Sequence, residues 1–302
     1  MKPARPSMKP AHPSLHPPRL VRRASGLRRA SAAWLGLALA ALLLAIGCAR
    51  SPLERSLERG VAWFEAHVER ADPSWASVIG YLERRFGFSL QLASGELVRD
   101  SADESVRPEI AALYRRLSDP GARGDARAIA ALPSQIDRMT ALSLYCDQLG
   151  LPPNWPELLQ RASLAGGYAL THAALARAWT LENGCLPESA LAALHSEQTD
   201  LLAALVARGD TQPDPKLPST DQWIEALALL YYTGARERVR PEWIAALLAA
   251  QRDDGGWPAR PNAAHSDPHA TALALWVLLE NLEPAAAPIR WIPRLASAAE
   301  AR

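Results

Sequence analysis

Two stretches of the sequence repeat one pattern of helix, turn and helix, and this repeat limits the folds open to the chain. "PELLQRASLAGGYALTHAALARAWTLEN" covers residues 156–183, and "PEWIAALLAAQRDDGGWPARPNAAHSDPHATALALWVLLEN" covers residues 241–281. Each has a Pro-Glu start, a Gln-Arg helix end, a Gly-Gly-aromatic turn, and a His seven residues before a Trp. Agreement at four features predicts that the two stretches fold into equivalent helical hairpins.

Most of the chain after residue 50 has helical character. Long stretches of Ala, Leu, Arg and Glu are punctuated by Pro-Glu pairs, which are typical of helix starts. The helix that contains "TALALW" (271–276) is apolar nearly all round, as expected of an inner layer, whereas "PEIAALYRRL" (108–117) is amphipathic and suits an outer layer. The sequence therefore predicts an all-α fold with outer and inner helices.

The turn "QRDDGGW" connects an outer helix to an inner one. With its Gln251 and its Gly-Gly-Trp at 255–257, it resembles the QW-type repeat of the terpenoid cyclase and protein prenyltransferase α/α toroids. In that family the Gln caps the helix and stacks on the Trp, and the glycines permit a tight turn. The resemblance covers about residues 155–282, and it implies an α/α toroid or partial toroid of repeated helical hairpins. It also implies that Asp253 and Asp254 are turn residues rather than catalytic acids.

The repeat pairs four groups of residues between the two hairpins. The paired positions are Gln160 with Gln251, Gly166-Gly167-Tyr168 with Gly255-Gly256-Trp257, His172 with His269, and Trp179 with Trp276.

The N-terminal residues have the features of an export signal. Residues 1–47 contain eight Lys or Arg and no Asp or Glu, and they include the apolar run 34–46, which is shorter than the roughly 20 residues of a membrane span. "LLLAIGC" resembles the lipobox of bacterial lipoproteins, which implies that Cys48 is lipidated and becomes the mature N-terminus. Ala45 stands where a leucine is usual, so a plain signal anchor is the alternative. We expect an exported, membrane-anchored lipoprotein that faces the periplasm or the outer surface.

The net charge indicates which partners to expect, and the cysteines allow one cross-link. Removal of eight positive charges from a chain of net charge +1 leaves −7, so nucleic acid is not an expected partner, and the expected contact with a membrane is the N-terminal lipid. After Cys48 only Cys146 and Cys185 remain. In an oxidising compartment they can form a disulfide, and the alternative is two buried thiols.

The chain divides into five parts on this evidence of composition and repeat. These are 1–47, a signal peptide of the lipoprotein type; 48–54, the lipidated N-terminus and a short linker; 55–135, a helical N-terminal part; 136–282, the toroid-like repeats; and 283–302, a C-terminal tail. Within the N-terminal part, "GFSLQLASGELVRDSADESV" is compatible with a short hairpin or a polar loop.

A candidate site follows from the helix starts. In a toroid of this kind the inner helices run parallel, so polar residues in their first turns meet at one mouth of the central cavity. "SDPHAT" predicts Asp267 as the N-cap and His269 in the first turn, "STDQW" places Asp221 in another first turn, and His172 follows from the repeat. Two imidazoles and a carboxylate suit zinc or another divalent metal. Glu225, one turn after Asp221, could join this site or face a neighbouring helix.

The alternative is structural: Asp221 stabilises a helix dipole, and the two histidines fill polar positions near helix ends. Protein prenyltransferases place zinc ligands at comparable points, with Asp-x-Cys at the start of one inner helix and a His at the start of a later one. Asp221 and His269 match, but Trp223 stands where the cysteine is required. The acidic motifs of terpene cyclases are also missing from the inner-helix starts. Two hypotheses follow: a protein that binds a small molecule or a protein partner, and a metal-dependent hydrolase or transferase.

Overall fold

The structure is a computed structural model that describes residues 50–98, 108–209 and 220–293. The signal peptide and Cys48 lie outside the described residues. The described part contains α-helices at these positions: α1 Pro52–His67, α2 Pro73–Phe86, α3 Pro108–Tyr114, α4 Ala126–Ala131, α5 Gln135–Leu144, α6 Cys146–Leu149, α7 Trp155–Ala165, α8 Gly167–Glu182, α9 Ala192–Gly209, α10 Thr220–Tyr232, α11 Pro241–Ala249 and α12 Pro268–Leu282.

Capping signals in the sequence set several of these helix starts. Ser51 and Glu54 form a capping box at α1, with proline in its first turn. Helix α1 consequently begins at Pro52, inside the stretch 48–54 that was expected to be a linker. The side chain of Asp72 caps α2, and that of Asp267 caps α12 by accepting the N–H of Ala270 at 3.0 Å. Short polar side chains therefore satisfy backbone donors that would otherwise be unpaired.

The all-α prediction is confirmed. The described ranges contain no strand, and pairing there is confined to isolated bridges, of which one is antiparallel between Gln91 and Leu97. Leu92 N–H donates to Glu96 O at 2.8 Å and Val98 N–H to Leu90 O at 2.9 Å. Residues 90–98 thus form a short hairpin, one of the two structures that the sequence allowed for this segment.

Six helices contact one another in a closed cycle, in which each helix contacts the next and the last contacts the first. Helix α2 packs on α3, α3 on α5, α5 on α8, α8 on α10, α10 on α12, and α12 on α2 again. These six are called the inner helices below. Helices α1, α7 and α9 pack outside them, α1 on α12, α7 on α8, and α9 on both α8 and α10. The inner helices include α2 and α3, which come from the part 55–135 that the repeat did not cover.

The turn before α12 joins this hairpin to α1. Gln251 Nε2 donates to the carbonyl oxygens of Ser56 at 2.9 Å and of Gly255 at 2.7 Å. The Trp257 ring is fully buried, and its N–H donates to Leu247 O at 2.8 Å. Gly255 has φ 102°, and a Cβ there would lie 2.5 Å from a backbone oxygen of α1. The glycine is therefore required both by its left-handed backbone and by the close approach of α1.

The corresponding turn before α8 is built differently. Gln160 is exposed and donates to Glu197 of α9 at 3.1 Å. Gly166 and Gly167 have φ 72° and 55°, so this turn also uses left-handed glycines. Tyr168, the counterpart of Trp257, is 36% exposed instead of buried. The two hairpins share their glycine turns but not the packing of the aromatic residue.

The segment after α12, expected to be a tail, is anchored to the inner helices in its described part, up to residue 293. Trp291 N–H and Ile292 N–H donate to the two carboxylate oxygens of Glu182 at 3.0 and 2.9 Å. The Trp291 ring contacts four aromatic rings at centroid distances of 5.1–5.6 Å. Those rings are Tyr81, Trp179, Tyr232 and Trp276.

Cys146 and Cys185 are joined by a disulfide, with Cα atoms 6.1 Å apart. The bond links the start of α6 to the residues that follow α8. Over residues 50–98, 108–209 and 220–293, none of the helices has both the length and the apolar character that crossing a membrane requires.

Candidate functional site

A cavity of about 730 Å³ is lined by residues from all six inner helices. His172, Asp221 and His269, the three residues predicted from helix starts and the repeat, all line it, together with Glu225. The starts of α2, α5, α8, α10 and α12 contribute lining residues to this one space. The convergence that the sequence predicted for inner-helix starts is therefore present in the described structure.

The character of the cavity changes along the inner helices. Residues three or four positions apart lie on one face of a helix, and α8, α10 and α12 each present such a face to the cavity. His269 and Trp276 both line it, and seven helical residues correspond to about 10 Å along the axis. On α8, α10 and α12, polar side chains come first and apolar ones follow. The lining residues are Tyr168, His172, Leu175 and Trp179 on α8; Asp221, Glu225 and Leu229 on α10; and His269, Leu273 and Trp276 on α12.

Asp221 and His269 form an ion pair at the polar end. His269 Nδ1 lies 2.8 Å from Asp221 Oδ1, and the Tyr168 hydroxyl donates to Asp221 Oδ2. Burial acts to lower the pKa of His269, but the hydrogen bond and charge of Asp221 outweigh it and raise that pKa to about 9. Burial likewise acts to raise the pKa of Asp221, and bonding to His269 and Tyr168 holds it below its ordinary value. Near neutral pH the pair is an imidazolium and a carboxylate.

His172 is neutral, and its tautomer follows from its neighbour. The Thr140 hydroxyl donates to Ile136 O at 2.7 Å, so its oxygen is left to accept from His172 Nδ1 at 3.2 Å. Nδ1 therefore carries the proton, and Nε2 has a free lone pair. Burial, reinforced by the charge of His269, lowers the pKa of His172 to about 4. His172 thus acts as a hydrogen-bond acceptor through Nε2.

Glu225 faces the cavity from α10. Its Oε1 lies 3.8 Å from His172 Nε2, too far for a hydrogen bond between them. Its Oε2 is buried and has no hydrogen-bond partner among the described residues. Burial raises the pKa of Glu225 to about 7, with the charge of His269 opposing the rise. This carboxyl can therefore gain or lose a proton near neutral pH.

The three predicted metal ligands do not form a complete ligand set. Among the described residues, no group of three or more His, Cys, Asp and Glu side chains is arranged to hold a metal ion. Both oxygens of Asp221 are occupied by His269 and Tyr168. His172 is the sixth residue of α8, whereas His269 is the second of α12, so the repeat does not place them at equivalent depths. The described residues therefore do not fit a three-ligand metal site.

Asp253 and Asp254 lie outside the lining of this cavity. Asp254 Oδ1 accepts the Gly256 N–H at 3.0 Å and the Ser266 hydroxyl at 2.7 Å. These contacts are those of a turn residue, which is the role expected from the sequence.

Sequence reasoning missed several residues of the cavity. The repeat pairs Tyr168 with Trp257, and no sequence signal marks Thr140 as a site residue. Trp75 and Trp291 are buried and also line the cavity. The seven-residue spacing of His172 and Trp179 was the one sequence signal that a tryptophan lies on the same helix face as a site residue.

Comparison with known proteins gives no match. No family model, no curated protein and no solved structure is similar enough to the chain to support an inference about its function.

Proposed function

We propose that the protein is an exported, lipid-anchored helical protein that binds a small molecule in the cavity between its inner helices. The observation that carries this proposal is one space of about 730 Å³ in which polar groups and aromatic rings face each other. Small-molecule sites are typically concave, about 300–1,000 Å³ in volume, mostly apolar, and supplied with a few convergent polar groups. Between a small molecule and a protein partner, the concave lining favours the small molecule.

The residues at the polar end support binding rather than a purely structural role. Glu225 is only 5% exposed, yet its Oε2 makes no hydrogen bond in the described structure. A buried polar atom without a partner destabilises a fold, and such atoms are uncommon unless a ligand or water satisfies them. The ion pair of Asp221 and His269 fixes the neighbouring wall.

A compound screen with a blocked cavity tests the proposal. Compounds that raise the melting temperature of the wild-type protein should fail to do so in Ala259→Trp, because Ala259 lines the cavity and the larger ring would occupy it. Ala249→Trp, at an exposed position of α11, is the matched control and should respond like the wild type. A screen without stabilising compounds, or an Ala259→Trp variant that binds unchanged, would contradict the proposal.

We also propose that the inner and outer helices form an α/α toroid of the kind that the QW-type turn suggests. The closed order of contacts from α2 through α12 and back supports this, as does the burial of Trp257 at the turn. The lipid anchor at Cys48 is part of the same proposal. Helix α1 begins at Pro52, so the folded part would start directly after the lipidated residue.

A metal-dependent hydrolase or transferase is the second candidate. The observation in its favour is the Asp221–His269 hydrogen bond, because metal-binding histidines usually donate their second N–H to a carboxylate or carbonyl. Metal analysis of protein purified without chelators tests it. Stoichiometric zinc that is lost in His269→Ala would support the enzyme, and metal-free wild-type protein would remove it.

A further inference from the structure

Two hydrogen-bond acceptors in the cavity wall have no donor among the described residues. One is Glu225 Oε2, which is buried without a partner. The other is His172 Nε2, which has a free lone pair because Nδ1 donates to Thr140. His172 Nε2 and Glu225 Oε1 are 3.8 Å apart. A single group with two hydrogens, placed about 2.9 Å from each side chain, can donate to both.

Few ligand groups satisfy this arrangement. An alcohol has only one hydrogen to donate. An ionised carboxylate or phosphate has no hydrogen to donate, so it would place further acceptors beside the two acceptors of the cavity wall. Water has two hydrogens but no charge to compensate a buried carboxylate. A protonated primary or secondary amine has at least two N–H groups and a positive charge, so it matches both acceptors.

Four of the other charged side chains that line the cavity already have partners. The imidazolium of His269 is compensated by Asp221 at 2.8 Å. Asp72 accepts the Ser74 N–H at 2.8 Å, and Asp267 caps α12. Arg70 and Asp137 also line the cavity, but Asp137 is only half-buried. Glu225 is therefore the deeply buried carboxyl that helix capping and ion pairing leave able to receive a cation.

The far end of the cavity indicates the rest of the ligand. Trp179 and Trp276 line it about two helical turns from the polar groups, and Trp291, which also lines the cavity, contacts both of their rings. Aromatic walls contact apolar groups and also attract cations through their ring faces. We propose that the ligand is an amphiphilic amine, with its protonated nitrogen between Glu225 and His172 and its apolar body against these tryptophans. This inference rests on the proposed function, because it names the ligand class of the same cavity.

Three matched probes test the charge of the head group. Octylammonium, octanol and octanoate share an apolar chain and differ in the head, and each is titrated at pH 8 below its micelle-forming concentration while tryptophan fluorescence is recorded. Octylammonium should bind at least about tenfold more tightly than octanol, because hydrogen bonds to a charged group are the stronger kind, and octanoate should bind least. The preference should disappear in Glu225→Gln, which keeps the shape and removes the charge.

Glu242→Gln, at an exposed position of α11, is the control and should keep the wild-type preference. Equal or tighter binding of octanol or octanoate by the wild type overturns the amine inference, and this comparison does not depend on how the variant folds. Unchanged octylammonium affinity in Glu225→Gln overturns it as well. Binding of none of the probes also overturns it, whereas the proposed function is judged separately by the compound screen with Ala259→Trp.

Discussion

Glu225→Gln should stabilise the protein, and the gain should grow with pH. Burial raises the pKa of this carboxyl from 4.5 to about 7, so the fold disfavours its ionised form. Below pH 4.5 the group is protonated in both the folded and the unfolded state, and there is no cost. As the pH rises through 4.5 toward 7 the unfolded state loses its proton first, and the wild type loses stability until the cost is complete above pH 7.

The size of this effect follows from the shift. A change from 4.5 to about 7, at roughly 1.4 kcal/mol per unit of pKa, corresponds to about 3 kcal/mol at pH 8 and about 1 kcal/mol at pH 5. The neutral glutamine avoids this cost, and its amide also places a donor beside His172 Nε2. For a folded part of this size, 1 kcal/mol shifts the melting temperature by about 2–4 °C, so we expect a gain of roughly 6–12 °C at pH 8.

Thermal melts at pH 5 and pH 8, followed by circular dichroism, measure this gain for the wild type, Glu225→Gln and the exposed control Glu242→Gln. The control should melt with the wild type at both pH values. A Glu225→Gln variant that is no more stable than the wild type at pH 8, or that gains equally at both pH values, would show that Glu225 is not a buried acid with a raised pKa. The expected result would mean that the cavity keeps this acid at a cost in stability, as binding sites often do.

Three further predictions concern the packing, the disulfide and the anchor. Trp257→Ala should lower the free energy of unfolding by about 3–5 kcal/mol, because the ring is fully buried, and an unchanged denaturation midpoint would contradict the packing of this turn. Replacing Cys146 and Cys185 together by serine should cost about 2–4 kcal/mol, and in the denatured wild type both thiols should resist alkylation until a reductant is added. Cys48→Ala should leave an uncleaved or mislocalised precursor, and normal mature protein in the membrane fraction of that variant would refute lipidation.

The parts of the site that depend on local signals could be predicted from the sequence. Asp267 and Pro268 mark the start of α12, and they place His269 in its first turn, where the structure has it. Asp221 likewise lies in the first turn of α10. Capping depends on a few adjacent residues, so no knowledge of distant contacts is needed.

The orientation of Glu225 could not be predicted, because α10 is apolar nearly all round. A helix without a polar face gives no indication of which side faces a cavity and which side faces a neighbour. The position of the Tyr168 ring could not be predicted for a related reason. Its turn resembles the one at Trp257, but Gln251 finds its partner on α1 whereas Gln160 meets Glu197, and these distant contacts decide where the aromatic ring goes.

The closure of the helix contacts by α12 has a consequence for how the chain folds. Helix α12 packs on α1 and α2, so segments about 200 residues apart in sequence must meet, and Trp291 joins them only after α12. Contacts between such distant segments slow folding, since the entropy of a long loop is lost before the contacts form. The contacts of α1 and α2 with α12 can form only after residue 282 has been synthesised, so these two helices lack that partner while the intervening residues are translated.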